Sequence, residues 1–216
     1  MKGDQMIMVV KREEVFPSDY FQGFRPAREI DFESRLLQGF VYRPREEMEN
    51  DPSYKQPIGY ALIVNRRART VFAYRRSSRD GEYREKRLQG KWSWGVGGHI
   101  EKCDQGDENP IRMSMLREVG EEVGLRNPGE PEVLGYINDD SDPVGKVHFG
   151  VLYVIPTRES EVKPACPELK EGGMRPVEEL ASLISAPGVM VEEWSKISLP
   201  PLLAYLAPGS RFPSHR

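Results

Sequence analysis

The chain has 216 residues, 30% of them charged, and a formal net charge of −3. That length suits one large domain, or one domain with an extension, able to bury a sizeable core. The small net charge argues against a nucleic-acid-binding surface, and no apolar run approaches the roughly 20 residues of a membrane span.

Met1-Lys2-Gly3-Asp4-Gln5 and the short run after it are unlike a secretory signal. Cys103 and Cys166 form no zinc pattern, so a reduced, cytoplasmic protein is the plainer reading. Met6 to Val15 is β-rich and predicted as a strand. Pro17 to Tyr54 reads as irregular, with a short helix near Phe32 to Gln38; Phe21, Phe24, Phe32 and Phe40 make it too aromatic for a disordered tail. Ile58 to Val64 suits a buried strand. Asn65 to Arg69 reads as a turn into a second strand, Thr70 to Arg75, completing a hairpin. Ser77 to Gly90 is a charged loop, and Trp92 to Val96 a strand whose tryptophans read as core. A helix is predicted over Asn109 to Val123, with Pro110 in its first turn and Gly124 at its exit. Glu132 to Ile137 and Val147 to Ile155 are further strands. Pro176 to Ser185 and Val191 to Ala204 read as helices, the second interrupted by Pro200-Pro201. Strands on both sides of a central helix, then a closing helical segment, imply an α/β fold with a mixed sheet between helices.

The central helix carries the chemistry. At about 100° per residue, with Glu118 at zero, Glu121 falls near −60° and Glu122 near +40°, so three acids share one arc. Met115, Val119, Val123 and Leu116 take the arc from roughly 60° to 160° and can pack on a sheet. Like charges at this spacing cost helix stability. A solvated acidic face is the common reason for such a pattern; a hard divalent cation bound through oxygen is the other. Upstream, Lys91-Trp92-Ser93-Trp94 runs into Gly95-Val96-Gly97-Gly98-His99-Ile100-Glu101, where bare backbone can approach a phosphate.

Together these segments resemble the Nudix hydrolases. The signature's second half matches at every specified position from Arg117 to Leu125, and its first half at Gly98, with Gly97 and Glu101 also typical. One departure stands out: Gly98 and Arg117 are nineteen positions apart, against fourteen in the signature. The extra residues fall in Lys102 to Pro110. Asn109 occupies the place of the signature's first Glu, with Asp107 or Glu108 as substitutes. The expansion also resembles a bacterial Nudix subgroup described as phosphoesterases, and residues 102–109 are expected to form a surface excursion.

The resemblance implies the Nudix fold, a mixed β-sheet sandwiched between helices. It divides the chain into an N-terminal extension or cap, residues 1–56, and a Nudix domain, residues 57–216. It implies a hydrolase that cleaves a diphosphate bond in a nucleoside-diphosphate-linked or related small molecule, using Mg2+ with Mn2+ as a substitute. The implied metal ligands are Glu118, Glu121, Glu122 and Gly98, the last through its carbonyl. Glu118, Glu121 and Arg117 form the implied catalytic set, Arg117 pairing with a carboxylate to hold the loop on the helix. Arg75, Arg76 and Gly97 are the implied substrate contacts. Glu168 is a second-region acid, with Glu171 and Asp140 as rivals. His99 and His148 read as loop or core histidines. No stable nucleic-acid complex and no membrane association are expected; the extension is a candidate dimerisation element. Two other classes remain open: a silent Nudix-like sensor, and an isoprenoid-diphosphate isomerase, for which Cys103 lies in the wrong context.

Overall fold

The computed structural model describes residues 5–78, 88–106 and 109–209. In chain order its elements are β1 (Met6–Lys11), α1 (Arg12–Val15), β2 (Gly23–Pro26), α2 (Phe32–Gly39), β3 (Phe40–Pro44), α3 (Arg45–Met48), β4 (Tyr54–Asn65), β5 (Thr70–Arg76) and β6 (Trp92–Ser93). A 3-10 turn at Lys102–Asp104 follows, then α4 (Pro110–Glu122), β7 (Glu132–Asn138), α5 (Pro143–Val147), β8 (His148–Pro156), β9 (Leu169–Pro176), α6 (Val177–Ser185) and α7 (Glu193–Leu206). Strands and helices together make a mixed-sheet α/β architecture. Among the described residues no helix is long and apolar enough to cross a membrane.

The chain forms two compact units. The first comprises Met1–Tyr60, Gly97–Arg117 and Val133–Leu152. Its strands run in the order β2-β7-β8-β4-β1-β3. β1 pairs antiparallel with β3 from Met6↔Pro44 to Val10↔Phe40, and with β4 at Val10↔Lys55 and Lys11↔Tyr54. Phe16, Phe21, Phe32, Tyr136 and Phe149 form one aromatic cluster with ring centroids 5.2–6.1 Å apart. Burying a phenylalanine such as Phe32 contributes about 1.5–3 kcal/mol, which explains the aromatic density of residues 17–54. The predicted helix near Phe32 is α2, capped by Asp31, whose carboxylate accepts from Ser34 N at 2.9 Å. The strands β2 and β3 were not legible as such. β2 has only Gly-Phe-Arg-Pro, and takes its conformation from antiparallel pairing with β7.

The second unit comprises Ala61–Val96, Glu118–Glu132 and Tyr153–Arg216. The end of β4 turns into β5 at Val64↔Val71, as the hairpin reading requires, and β5 also pairs with β6 and β9. The turn is closed by Asn65, whose amide oxygen accepts from Ala68 N at 3.0 Å. Trp94 is fully buried; its indole N–H donates to Ser198 Oγ and its backbone N–H to Ser195 Oγ, both at 3.1 Å. β9, with Gly172 and Gly173 and no alternating apolar residues, was assigned to no element from the sequence. A β-carbon at Gly172 would lie 2.4 Å from Pro164 Cγ, so its glycine serves close packing rather than a turn. Pro200 and Pro201 lie inside α7 instead of interrupting it. Their cost to a helix, about 3 kcal/mol or more each, is opposed by burial of Leu199, Pro201, Leu202, Tyr205 and Leu206.

Candidate active site

Helix α4 begins where the sequence says it should. Asn109 Oδ1 accepts from Ile111 N at 2.9 Å and Arg112 N at 3.3 Å, and Pro110 needs no acceptor. Its end differs from a glycine-led exit. Ala165 N donates to Glu122 O at 2.8 Å and Gly124 N to Lys163 O at 2.9 Å, so a neighbouring segment, not a left-handed glycine, satisfies the last turn. Met115, Val119 and Val123 are buried, as the apolar arc requires.

In the first unit, Arg117 clasps Asp104. Nε donates to Asp104 Oδ1 at 2.8 Å and Nη2 to Oδ2 at 3.1 Å; Nη2 also reaches His99 O at 3.3 Å. Asp104 Oδ2 in turn accepts from Glu101 N at 2.8 Å, and Glu101 accepts from Gln5 at 2.8 Å. Asp104 is therefore the arginine's carboxylate partner. Sequence reasoning placed it only within the expected surface excursion of residues 102–109; the clue was its place three residues after Glu101, a reciprocal capping spacing. Asp107 and Glu108, the proposed substitutes, lie outside the described residues. A β-carbon on Gly97 would fall 2.2 Å from Gly59 O, so this position is bare because two backbones touch. Gly98 follows it, half-buried.

His99 and His148 are core-side residues, as read. His99 Nε2 lies 2.7 Å from Gln56 Oε1 and 3.2 Å from His148 Nε2, while His148 Nδ1 is 2.7 Å from Val144 O. Carbonyl and amide oxygens only accept, so Nδ1 of His148 carries hydrogen and the single Nε2–H of His99 goes first to Gln56 Oε1, with His148 Nε2 sharing it at longer range. Burial first, then His148 and Arg45, hold the His99 imidazole well below its ordinary range. Asp140 is also committed in this unit, to Arg12 at 2.5 Å and Lys55 at 2.8 Å.

The second unit holds the glutamates. Glu122 Oε2 is buried and has no hydrogen-bond partner. Burial pushes its carboxyl up to about 7; Arg76 opposes the rise, and Glu118, Glu168 and Glu121 add to it. An orphaned carboxylate oxygen among further carboxylates is a donor set that a hard divalent cation would satisfy. Among the described residues no three His, Cys, Asp or Glu side chains are gathered tightly enough to hold an ion. Repulsion between the carboxylates gives them no reason to converge without one. The residues therefore fit a cation by the chemistry of their side chains and by the buried Oε2 of Glu122.

The two arginines ending β5 differ sharply. Arg75 is 48% exposed; its Nε donates to Gly90 O at 3.0 Å, and it pairs loosely with Glu171 at 3.5 Å. Arg76 is buried and bonded to Glu192. Its burial and its bond to Glu192 make Arg75 the better placed of the two to meet a phosphate. Of the three later acids, Glu168 is the one coupled to Glu122; Glu171 belongs to an exposed ion pair and Asp140 to Arg12 and Lys55.

A family model described as the NUDIX domain matches residues 55–192. The chain belongs to the Nudix family. Protein YmaB of Bacillus subtilis (strain 168) is 34% identical over 173 residues, spanning 75% of this chain and 82% of that protein. The crystal structure of Tm1382, a protein proposed as a Nudix hydrolase, superposes with a TM-score of 0.71 at 29% identity, covering 92% of this chain and 98% of Tm1382. The Nudix hydrolase of Alicyclobacillus acidocaldarius shares the fold, with a TM-score of 0.56 at 14% identity over 71% of this chain and 93% of that one. The protein is thus a Nudix-type pyrophosphohydrolase. Nudix hydrolases act on small molecules and generally use divalent metal ions such as Mg2+.

Proposed function

We propose that this Nudix protein hydrolyses a diphosphate bond in a nucleoside-diphosphate-linked or related small molecule, with Mg2+, or Mn2+ in its place, held by Glu118, Glu121, Glu122 and the Gly98 carbonyl. The observation that carries this reading is the buried, unpartnered Glu122 Oε2 in a field of three other carboxylates. A divalent cation bound there supplies charge neutralisation for phosphate oxygens. The chain's own residues do the rest. Glu122, with its Oε2 buried, is the anchor; Glu118 is half-buried like it, and Glu121 is exposed. Glu118 and Glu168 are the two candidates to take a proton from the attacking water. Arg75, exposed and forked, suits a substrate phosphate. Arg117 acts through Asp104, holding the segment from His99 to Asp104. The reduced thiols of Cys103 and Cys166, both free, suit the cytoplasm.

The test is a panel of nucleoside triphosphates, sugar nucleotides, dinucleoside polyphosphates and dinucleotide cofactors, scored for phosphorus-containing products with Mg2+. Glu118→Gln and Glu122→Gln should each cut turnover of the best substrate by about 10²-fold or more, beyond the 10–100-fold typical of losing an outer partner of a metal ligand. Near-normal Mg2+-dependent turnover in both folded variants would overturn the assignment.

A further inference from the structure

The second unit buries an arginine–glutamate pair that the family signature does not contain. Arg76 Nε donates to Glu192 Oε1, and the two side chains are 7% and 6% exposed. Backbone bonds fix both partners. Arg76 N donates to Lys91 O at 2.9 Å, and Arg76 O accepts from Gly90 N at 3.1 Å. Glu192 N donates to Trp92 O at 3.0 Å, and Glu192 O accepts from Lys196 N at 3.1 Å, opening α7. Removing such a pair from water costs about as much as its attraction returns, so stability alone is a poor reason for it.

Its surroundings supply a better one. β9 pairs Leu169 with Arg76, and Ser77 N donates to Glu168 O at 2.8 Å. The segment just before β9 closes α4, Ala165 N donating to Glu122 O. The buried cation and the end of the glutamate helix are thus both fastened to one short stretch, residues 165–169. Among the charges acting on Glu122, Arg76 opposes the three glutamates.

We propose that Arg76 and Glu192 are positioning residues for the cation site: Arg76 is a fixed, buried counter-charge to the glutamates of α4, and Glu192 sets how much of that charge they feel. Without Arg76 the cluster is more negative and attracts a cation more strongly. Without the charge on Glu192, more of the Arg76 charge reaches the glutamates and competes with the cation. The inference rests on the metal-binding reading of Glu122.

The experiment titrates Mn2+ alone into the metal-free full chain at fixed pH and salt, reading free Mn2+ by electron paramagnetic resonance. The variants are Glu192→Gln, Arg76→Gln, the double variant and Glu122→Gln, each checked for folding by circular dichroism. Glu192→Gln should weaken Mn2+ binding about threefold or more, Arg76→Gln should tighten it by a similar factor, and the double variant should return toward wild type. If Arg76→Gln alone does not fold, the double variant, which removes both charges of the pair, must bind Mn2+ more tightly than Glu192→Gln. A purely structural pair would weaken binding in both single variants, and that result overturns the inference while leaving the metal reading intact. Wild-type affinity in Glu122→Gln overturns both.

Discussion

Asp104 accepts two bonds from Arg117 and one from the backbone of Glu101, with its side chain only 4% exposed against 25% for Arg117. Removing the carboxylate leaves a partly enclosed guanidinium without its main partner. Breaking a fully buried pair costs about 3–5 kcal/mol; the exposure of Arg117 reduces that. Asp104→Ala should destabilise the protein by about 2–3 kcal/mol, read from urea unfolding, and lower turnover by loosening the segment next to Gly98. A change below about 0.5 kcal/mol, the range of ordinary surface substitutions, would show that the clasp is ornamental.

Two glycines separate structural from helical demands at the level of elements. Gly97 faces Gly59 across backbone contact, and an added β-carbon meets Gly59 O at 2.2 Å. Gly120, inside α4 and exposed, has nothing within 4 Å of an added β-carbon. Gly97→Ala should therefore cost about 1–3 kcal/mol or more, as overpacking does. Gly120→Ala should stabilise by about 0.5–1 kcal/mol, because alanine restricts the unfolded chain and favours helix. Thermal melts of the two variants should move in opposite directions. A destabilised Gly120→Ala would mean that α4 needs flexibility at this point, and a neutral Gly97→Ala that the two backbones part easily.

At the scale of the whole molecule, the charge network of the first unit sets the pH limits of stability. Burial tends to raise the Asp140 carboxyl, but bonds from Arg12 and Lys55 outweigh it and bring it from 3.8 down to about 2. Its contribution is therefore present above pH 3.8 and lost as pH falls through about 2. Lys55 shifts the other way relative to its pairing: burial outweighs Asp140 and lowers the amine from 10.5 to about 8. Between those values the unfolded chain binds more protons than the folded one, so this group adds stability as pH rises from 8 to 10.5. The two shifts agree on the ion pair and differ because Lys55 is fully enclosed while Asp140 keeps some contact with water. Melting temperatures from pH 1.5 to 5 should show a steeper acid loss in wild type than in Asp140→Asn. Equal slopes would remove Asp140 from the account.

Local spacing was enough to determine the acidic arc of Glu118, Glu121 and Glu122, the first turn of α4 at Pro110, the β4–β5 hairpin and the family, because each depends on residues a few positions apart. The remainder depended on groups distant in sequence. Asp104 became the partner of Arg117 thirteen residues on, and β9 became a strand only by pairing with β5. Arg75 and Arg76 are identical in sequence terms, yet one is solvated and the other is held by Glu192, 116 residues away. Sequence periodicity reports which face of an element is apolar. Which charge meets which, and at what cost in lost water, is decided when distant segments pack together, because desolvation and Coulomb energy depend on distances in space rather than along the chain.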